Sequence, residues 1–570
     1  MNLKPMLVAA SIAAMCLSAV GAEPMVINVK PVKGDATRTL QKAIDRAARQ
    51  NGKPVEIRLA PGEYHISKAK STGRLYHVSN TTTETEAPDQ TKHIGLFMKG
   101  ISNLTIDGRG AKFITHGEMT PWVVDSCSNV TLKNFSLDAA DPSVPEMTVT
   151  EVSDTAMTVK VHPWSKYEIR DGKLWWTGEG WEFTNGIAQI YSTTDTTSMR
   201  ADSPIEFCND VTETAPGELR FRYKKRNMSG VEPGFTYQMR HSFRTEVAGF
   251  INRSSDVTLS DLNLHFLGNF GIVAQFSTNL TYKKVNCSTA PESGRVNAGF
   301  ADFFQVSGCK GHLTVDSCYF AGSHDDPINV HGTHLRIVES PSAERLRVRF
   351  MHGQTRGFQA FYPGDTVAVV DSRSLIRKAV AVVKEAKQDG VYNMDIVLDR
   401  ELTDEVRGLK NAVLENVTWS PSVDITNSYF GLTPTRGILM TTWRPVRIEG
   451  NVFYRCPMAS ILVADDARSW YESGPVMDLL VKGNRFIDCV SPVISIAPEN
   501  AVMDGAVHKK IAIEDNVFEL SGRFALAGEK VEIRARSVEQ LKVTGNTVVS
   551  PVKDASLKVV TVDCKTTIID

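Results

Sequence analysis

Long apolar runs are missing from this chain: beyond residue 22 no segment reaches the ~18 uninterrupted apolar residues of a membrane helix, so no helical membrane span is expected. Charge of one sign is missing too. With 64 Lys and Arg against 65 Asp and Glu, the formal net charge is -1, which removes the electrostatic footprint of a nucleic-acid or anionic-membrane binder. Cysteine is sparse, at 9 in 570 residues, with no Cys-x-x-Cys pair and no Cys/His cluster at zinc spacing. A disulfide scaffold and a structural zinc are therefore not expected, and neither is a cofactor. Low-complexity linkers are absent as well.

Residues 1–22 carry one positive charge at Lys4, a short apolar stretch and small residues at Gly21-Ala22. This is the pattern of a secretory leader cleaved after Ala22, which predicts an exported protein, periplasmic or secreted. Met15 before Cys16 is larger than a lipid-attachment site normally accepts. Eight cysteines then remain, and they are expected to be buried core residues, with one disulfide among them at most.

A length of 570 residues exceeds what one compact core supports, so several domains or an elongated repeat is required. Leu40, Ile44, Ala47 and Ala48 follow Asp35-Ala-Thr37 at helical spacing, and Asn51-Gly52 stops the pattern. The alternating Val55–Ile66 comes next, and the two together read as the N-terminal cap of a β-helix. One phrase then recurs to the C-terminus: Asn103-Leu-Thr-Ile106, Asn129-Val-Thr-Leu132, Asp256-Val-Thr-Leu259, Asn279-Leu-Thr-Tyr282 and His312-Leu-Thr-Val315, with weaker copies ending at Ile425, Ile448, Val481, Ile513 and Val543. Successive last residues are 23 to 33 apart except for steps of 127 and 110. The short steps are single coils of a solenoid, and the long ones each require an insertion that leaves and re-enters the stack.

The expected fold is thus all-β: a right-handed parallel β-helix with a cap helix and two inserted, barrel-like β-rich subdomains. Its divisions are a leader (1–22), cap and first coils (23–139), a first insertion (140–250), coils carrying the site (251–337), a second insertion (338–415) and C-terminal coils (416–570).

Acids gather on neighbouring coils. Asp302 lies 13 residues before Val315, while His324 and Asp325 lie 13 and 12 before Ile337 in His334-Leu-Arg-Ile337, taken as the next copy of the phrase. The same count from Ile448 returns Thr435 and Arg436. With rungs about 4.8 Å apart, Asp302, Asp325 and Asp326 should converge on one face, with Arg436 close by. Paired carboxylates are what glycosidic cleavage requires: about 6.5–9.5 Å apart for inversion and about 5–5.5 Å for retention. Crowding three of them also raises the proton affinity of one. The bland alternative is that these aspartates merely cap turns.

Gln305, His324, Asn329 and His331 share the acids' segments and are candidate sugar contacts. Arg244, Glu246 and Trp443 are placed on adjoining coils and are candidates for the groove. Taken alone, His324, His331, His334 and His352 read as packed or turn histidines, and their spacing matches no metal-ligand pattern. Trp175, Trp176 and Trp181 suit either a sugar face or a barrel core.

His324-Asp325-Asp326-Pro327-Ile-Asn329-Val-His331-Gly332 together with Ala301-Asp302-Phe-Phe-Gln305 resembles the active-site region of glycoside hydrolase family 110, the exported bacterial α-1,3-galactosidases that act on blood-group B structures. The resemblance spans nearly the whole chain after the leader. It implies an inverting, metal-independent exo-hydrolase that removes terminal α-1,3-linked galactose from branched and linear glycans. Asp325 would be the general acid, with Asp302 and Asp326 orienting the attacking water. The partner implied is a glycan ending in α-galactose, and both monomer and homodimer stay open.

Three other readings compete. A polygalacturonase-like hydrolase carries a similar acid trio, but it usually also has Gly-His-Gly and Arg-Ile-Lys, where this chain has Val330-His331-Gly332 and Arg336-Ile337-Val338. A β-helix lyase would need an Arg or Lys base. A carbohydrate-binding solenoid without catalysis would use the same fold.

Overall fold

The computed structural model describes residues 23–225 and 230–570, so the leader expected over 1–22 lies outside the described residues. One ladder runs the length of the molecule, pairing Ile27, Ile57, Ile106, Leu132, Leu259, Tyr282, Val315, Ile425, Ile448, Val481, Ile513, Val543 and Ile569 in parallel register. The repeated phrase therefore marks equivalent positions residue for residue, and it does so across both long steps. The architecture is a right-handed parallel β-helix, built of a 20-stranded and a 13-stranded sheet.

Local chemistry explains why the phrase opens on Asn or Asp. Asn103, Asn129, Asp256 and Asn279 all sit at φ of 53–58°, a left-handed conformation that these residues tolerate better than other side chains do. At the opposite end of the strand, Gly450, Gly483, Asp515 and Gly545 take positive φ for the same reason. The asparagines that follow them stack. Asn484 Nδ2 donates to Asn516 Oδ1 (3.0 Å) and to the carbonyl of Ile448 (2.8 Å), and the pattern repeats at Asn451 and Asn516. Inside the coil, Phe430, Phe453, Phe486 and Phe518 stack with centroids 4.8–5.0 Å apart, so each rung buries its ring on the next.

The helix Thr37–Ala48 buries Leu40, Ala43, Ile44 and Ala47 over the first rungs. Ala43 takes the inward place that the pattern assigned to Ala48, which is exposed. The first insertion comprises a seven-stranded antiparallel sheet and a three-stranded one over a shared core. Trp176 and Trp181 are part of that core, while Trp175 lies under the Arg170 guanidinium. The second insertion is a closed six-stranded barrel opening at Leu335–Glu339. His334-Leu-Arg-Ile337 is thus no copy of the rung phrase. It leads into a barrel strand, antiparallel to Arg345–Arg349, and the rung after Val315 is at Ile425.

The eight cysteines from Cys127 onward are free, so no disulfide closes among the described residues. Among these residues no helix is long and apolar enough to cross a membrane.

Candidate active site

Pairings Phe304 with Ile328 and Ile328 with Ile438 fix the register of three successive coils. Asp302, Asp326 and Arg436 each stand two residues before these partners and form one column. Asp325 is one position out of it. Counting to Ile337 had instead aligned Asp302 with His324 and Asp325; the misplaced phrase accounts for the shift. Beside this column, Gln305, Asn329, Leu439 and Leu462 pair rung to rung, while their neighbours Phe304, Val306, Ile328, Val330, Ile438 and Met440 point into the core.

These residues line a cavity of about 180 Å³ together with Asn80, Arg244, Phe270, Ala464, Asp466, Trp470, Glu472 and Glu499. Of the expected candidates, Asp302, Asp325, Asp326, Gln305, Asn329, Arg244 and Arg436 are brought together there. Gln305 Oε1 and Asn329 Oδ1 are buried without a hydrogen-bond partner, two acceptors available to hydroxyl groups. Arg244 lies over the Phe270 ring (4.8 Å) and donates to Gln354 Oε1 (2.6 Å).

The other candidates stand elsewhere. His331 is enclosed behind the pocket wall, its Nε2 facing Gln305 Nε2 at 2.9 Å and its Nδ1 facing the Gly332 carbonyl at 2.7 Å, so it orients Gln305. Glu246 faces away, receiving the His93 backbone N–H and the Thr120 hydroxyl (2.7 Å) and lying 2.8 Å from His93 Nδ1; it ties the first rungs together. Trp443 is covered by the Arg377 guanidinium 3.3 Å from its centroid and is not among the lining residues.

His324 is fully buried beneath Asp325. Its Nδ1 accepts from Arg200 (3.2 Å) and Arg240 (3.3 Å), and its Nε2 faces the carbonyl of Gln238 (3.4 Å). Burial and these two guanidinium groups hold it well below the ordinary histidine range, so it is neutral and serves as an acceptor. Arg200 also reaches Asp325 Oδ2 at 2.8 Å. Both arginines come from the first insertion, which docks on the loops bearing the acids. Gln189 donates to Ser323 O (3.1 Å), and Glu146 accepts the backbone N–H of Asn297 (2.8 Å).

Charge is divided unequally among the acids. Burial, then Asp325 and Asp326, push Asp302 well above the usual carboxylate range. Burial acts on Asp325 in the same sense, but Arg200, Arg240, Arg436 and Arg244 outweigh it and hold that carboxyl low. Asp326 is raised by burial and by Asp325 against Arg436. It is also the most firmly held, accepting from the Thr435 hydroxyl (2.6 Å), from Arg436 N (3.1 Å) and from Arg436 Nε (3.0 Å). Burial and the neighbouring carboxylates thus strengthen the hold of Asp302 on a proton, while the surrounding arginines weaken that of Asp325. Among the described residues no group of three or more His, Cys, Asp or Glu is placed to hold a metal ion.

Sequence reasoning passed over Asn80, Arg200, Arg240, Asp466, Trp470 and Glu472. Nothing local marks Arg200, which is 125 residues from its partner. The loop carrying Asp466, Trp470 and Glu472 did leave a signal: the step from Ile448 to Val481 is 33 residues where the preceding coil takes 23.

Two family models match the insertions: GLAA-B beta-barrel domain I over residues 145–234 and GLAA-B beta-barrel domain II over 345–408. Alpha-1,3-galactosidase A of Bacteroides thetaiotaomicron is 47% identical over 532 residues, covering 93% of this chain and 92% of that protein. Alpha-1,3-galactosidase A of Streptomyces avermitilis is 36% identical, covering 92% and 87%. Alpha-1,3-galactosidase B of B. thetaiotaomicron is 31% identical, covering 94% and 88%.

Proposed function

The chain belongs to the α-1,3-galactosidase family and is a glycoside hydrolase, and from that premise we propose that it removes terminal α-1,3-linked galactose from branched, blood-group B type glycans and from linear ones, with inversion at the anomeric carbon. The observation that carries the reading is the pocket itself, in which three carboxylates from adjacent coils are walled by Arg244, Phe270, the 464–474 loop and Asn80. A pocket closed on several sides suits an exo-acting enzyme that admits one terminal sugar. The polygalacturonase-like, lyase and non-catalytic readings lose their ground with the family.

In an exo-enzyme the leaving sugar lies toward the mouth, and of the three acids Asp325 is the most open, its side chain 23% exposed. Asp325 therefore protonates the glycosidic oxygen as the C1–O bond breaks. Water attacks C1 from the opposite face and passes a proton to Asp302, with Asp326 and Arg436 holding the water's position. With Asp302 raised and Asp325 held low, the acid role of Asp325 requires that the bound sugar reverse the order in which the two carboxyls hold a proton. The three acids titrate as a set.

Asp325→Asn is expected to lose several powers of ten in kcat/KM on a B-type trisaccharide and far less on a dinitrophenyl α-galactoside, whose leaving group needs no proton. Equal losses would take the acid role from Asp325, and the same leaving-group pattern in Asp302→Asn would assign it to Asp302. NMR of the first product should show β-galactose; α-galactose would overturn inversion. The same assay on linear α-1,3-galactobiose sets the substrate range. Activity is expected to persist in EDTA. Export belongs to this reading, and N-terminal sequencing should find the mature protein beginning at Glu23.

A further inference from the structure

We propose that Trp470 is the stacking platform for the sugar on the leaving side of the scissile bond, a binding subsite distinct from the galactose pocket; the proposal rests on the galactosidase reading above. Trp470 lines the same cavity as the acids yet is 43% exposed, whereas Asp302 is 7% and Gln305 1% exposed. It stands at the mouth, where the leaving sugar must lie if galactose fills the interior.

The ring is held there firmly. The Asp466 carboxylate accepts the backbone N–H groups of Arg468 (2.8 Å), Ser469 (3.0 Å), Trp470 and Tyr471 (3.0 Å), which locks the turn carrying the indole. Tyr471 is buried, and its hydroxyl accepts from Arg336 of the barrel. On one side the indole rests on the His352 ring, at 4.3 Å and 30°. His352 comes from the second insertion, so two separate elements fix the indole where it lines the cavity.

What separates this exposed ring from others on the surface, such as Trp164 and Phe207, is that it lines the same cavity as the three acids. The chemistry that fits is a hexose ring, whose axial C–H groups form an apolar face suited to an aromatic plane while its hydroxyls reach a polar rim. Glu499 supplies part of that rim. Glu472 is already engaged, accepting from Asn80 (2.8 Å) and Asn329 (3.4 Å), and so stiffens the wall beside the platform.

The test compares kcat/KM on a B-type trisaccharide with that on α-galactosyl fluoride, whose leaving group is a single atom. Trp470→Ala is expected to lower the ratio of the two about tenfold, and Trp470→Phe, which keeps a ring, to recover most of it. Thermal melting of each variant verifies folding. An unchanged ratio in an active Trp470→Ala enzyme overturns the platform and leaves the galactosidase reading standing. A native enzyme that releases galactose from neither substrate overturns both.

Discussion

Arg200 and Asp325 meet across 125 residues of chain, and the guanidinium is the first of the charges that hold this carboxyl low. Taking the guanidinium away removes the leading charge that holds Asp325 low, so the carboxyl keeps its proton to higher pH. If Asp325 is the acid, Arg200→Ala should shift the alkaline limb of the kcat/KM profile to higher pH while the maximum falls, because the carboxylate is also less well placed. If the acidic limb moves up instead, Asp325 is the base. Arg200→Lys should restore part of the native profile, since it returns the charge without the bond to His324. Neutral, buried His324 aligns both arginines and is a positioning residue here, having no contact with the pocket.

At the scale of a coil, stability is a nearest-neighbour matter. Asn484 is fully buried, and its amide joins three coils through the Ile448 carbonyl, Asn451 and Asn516. Asn484→Ala removes the bonds to the Ile448 carbonyl and from the Asn451 backbone N–H in the interior, at a cost on the order of 2 to 4 kcal/mol. The effect should be local. Hydrogen exchange is expected to accelerate over the coils from 451 to 516, while the coils near Ile106 and Leu132 keep their native protection. Uniform acceleration along the whole solenoid would contradict nearest-neighbour behaviour. The same logic explains why long insertions are tolerated: Leu132 pairs with Leu259 and Val315 with Ile425 as though nothing intervened.

For the whole molecule, the junction between solenoid and first insertion is expected to respond to pH through Glu146. Glu146 is buried and accepts from Val296 (3.1 Å), Asn297 (2.8 Å) and Gln238 (3.4 Å); burial pushes its carboxyl up to about 7. A carboxyl raised in the folded state binds its proton more tightly there than in the unfolded chain. Its contribution is therefore fully present below about 4.5 and is lost as pH rises toward 7, by about 3 kcal/mol in all. Melting temperatures of the native protein should fall across that window relative to Glu146→Gln, which cannot ionise there; parallel curves would refute the assignment. Because Asn297 opens the loop that ends at Asp302, the same variant should change activity most where Glu146 titrates.

The solenoid was legible because its information is local. Each copy of the phrase carries its own left-handed Asn or Asp, its own inward apolar residues and its own turn, so Ile106, Leu132, Tyr282 and Ile513 could be placed in register from spacing alone. Convergence of Asp302, Asp325 and Asp326 was reached through a false copy of the phrase, His334–Ile337, whose count fell one residue from the true register. The phrase His334–Ile337 misled because a barrel strand and a solenoid strand share period two, and only pairing partners separate them. What surrounds the acids was decided by docking between segments distant in sequence. The first insertion brings Arg200 and Arg240 to Asp325 and His324, and the barrel brings His352 under Trp470. Packing turned Glu246 and Trp443 away from the pocket. Such contacts depend on shape and charge across surfaces with no common period, and a linear pattern holds no trace of them.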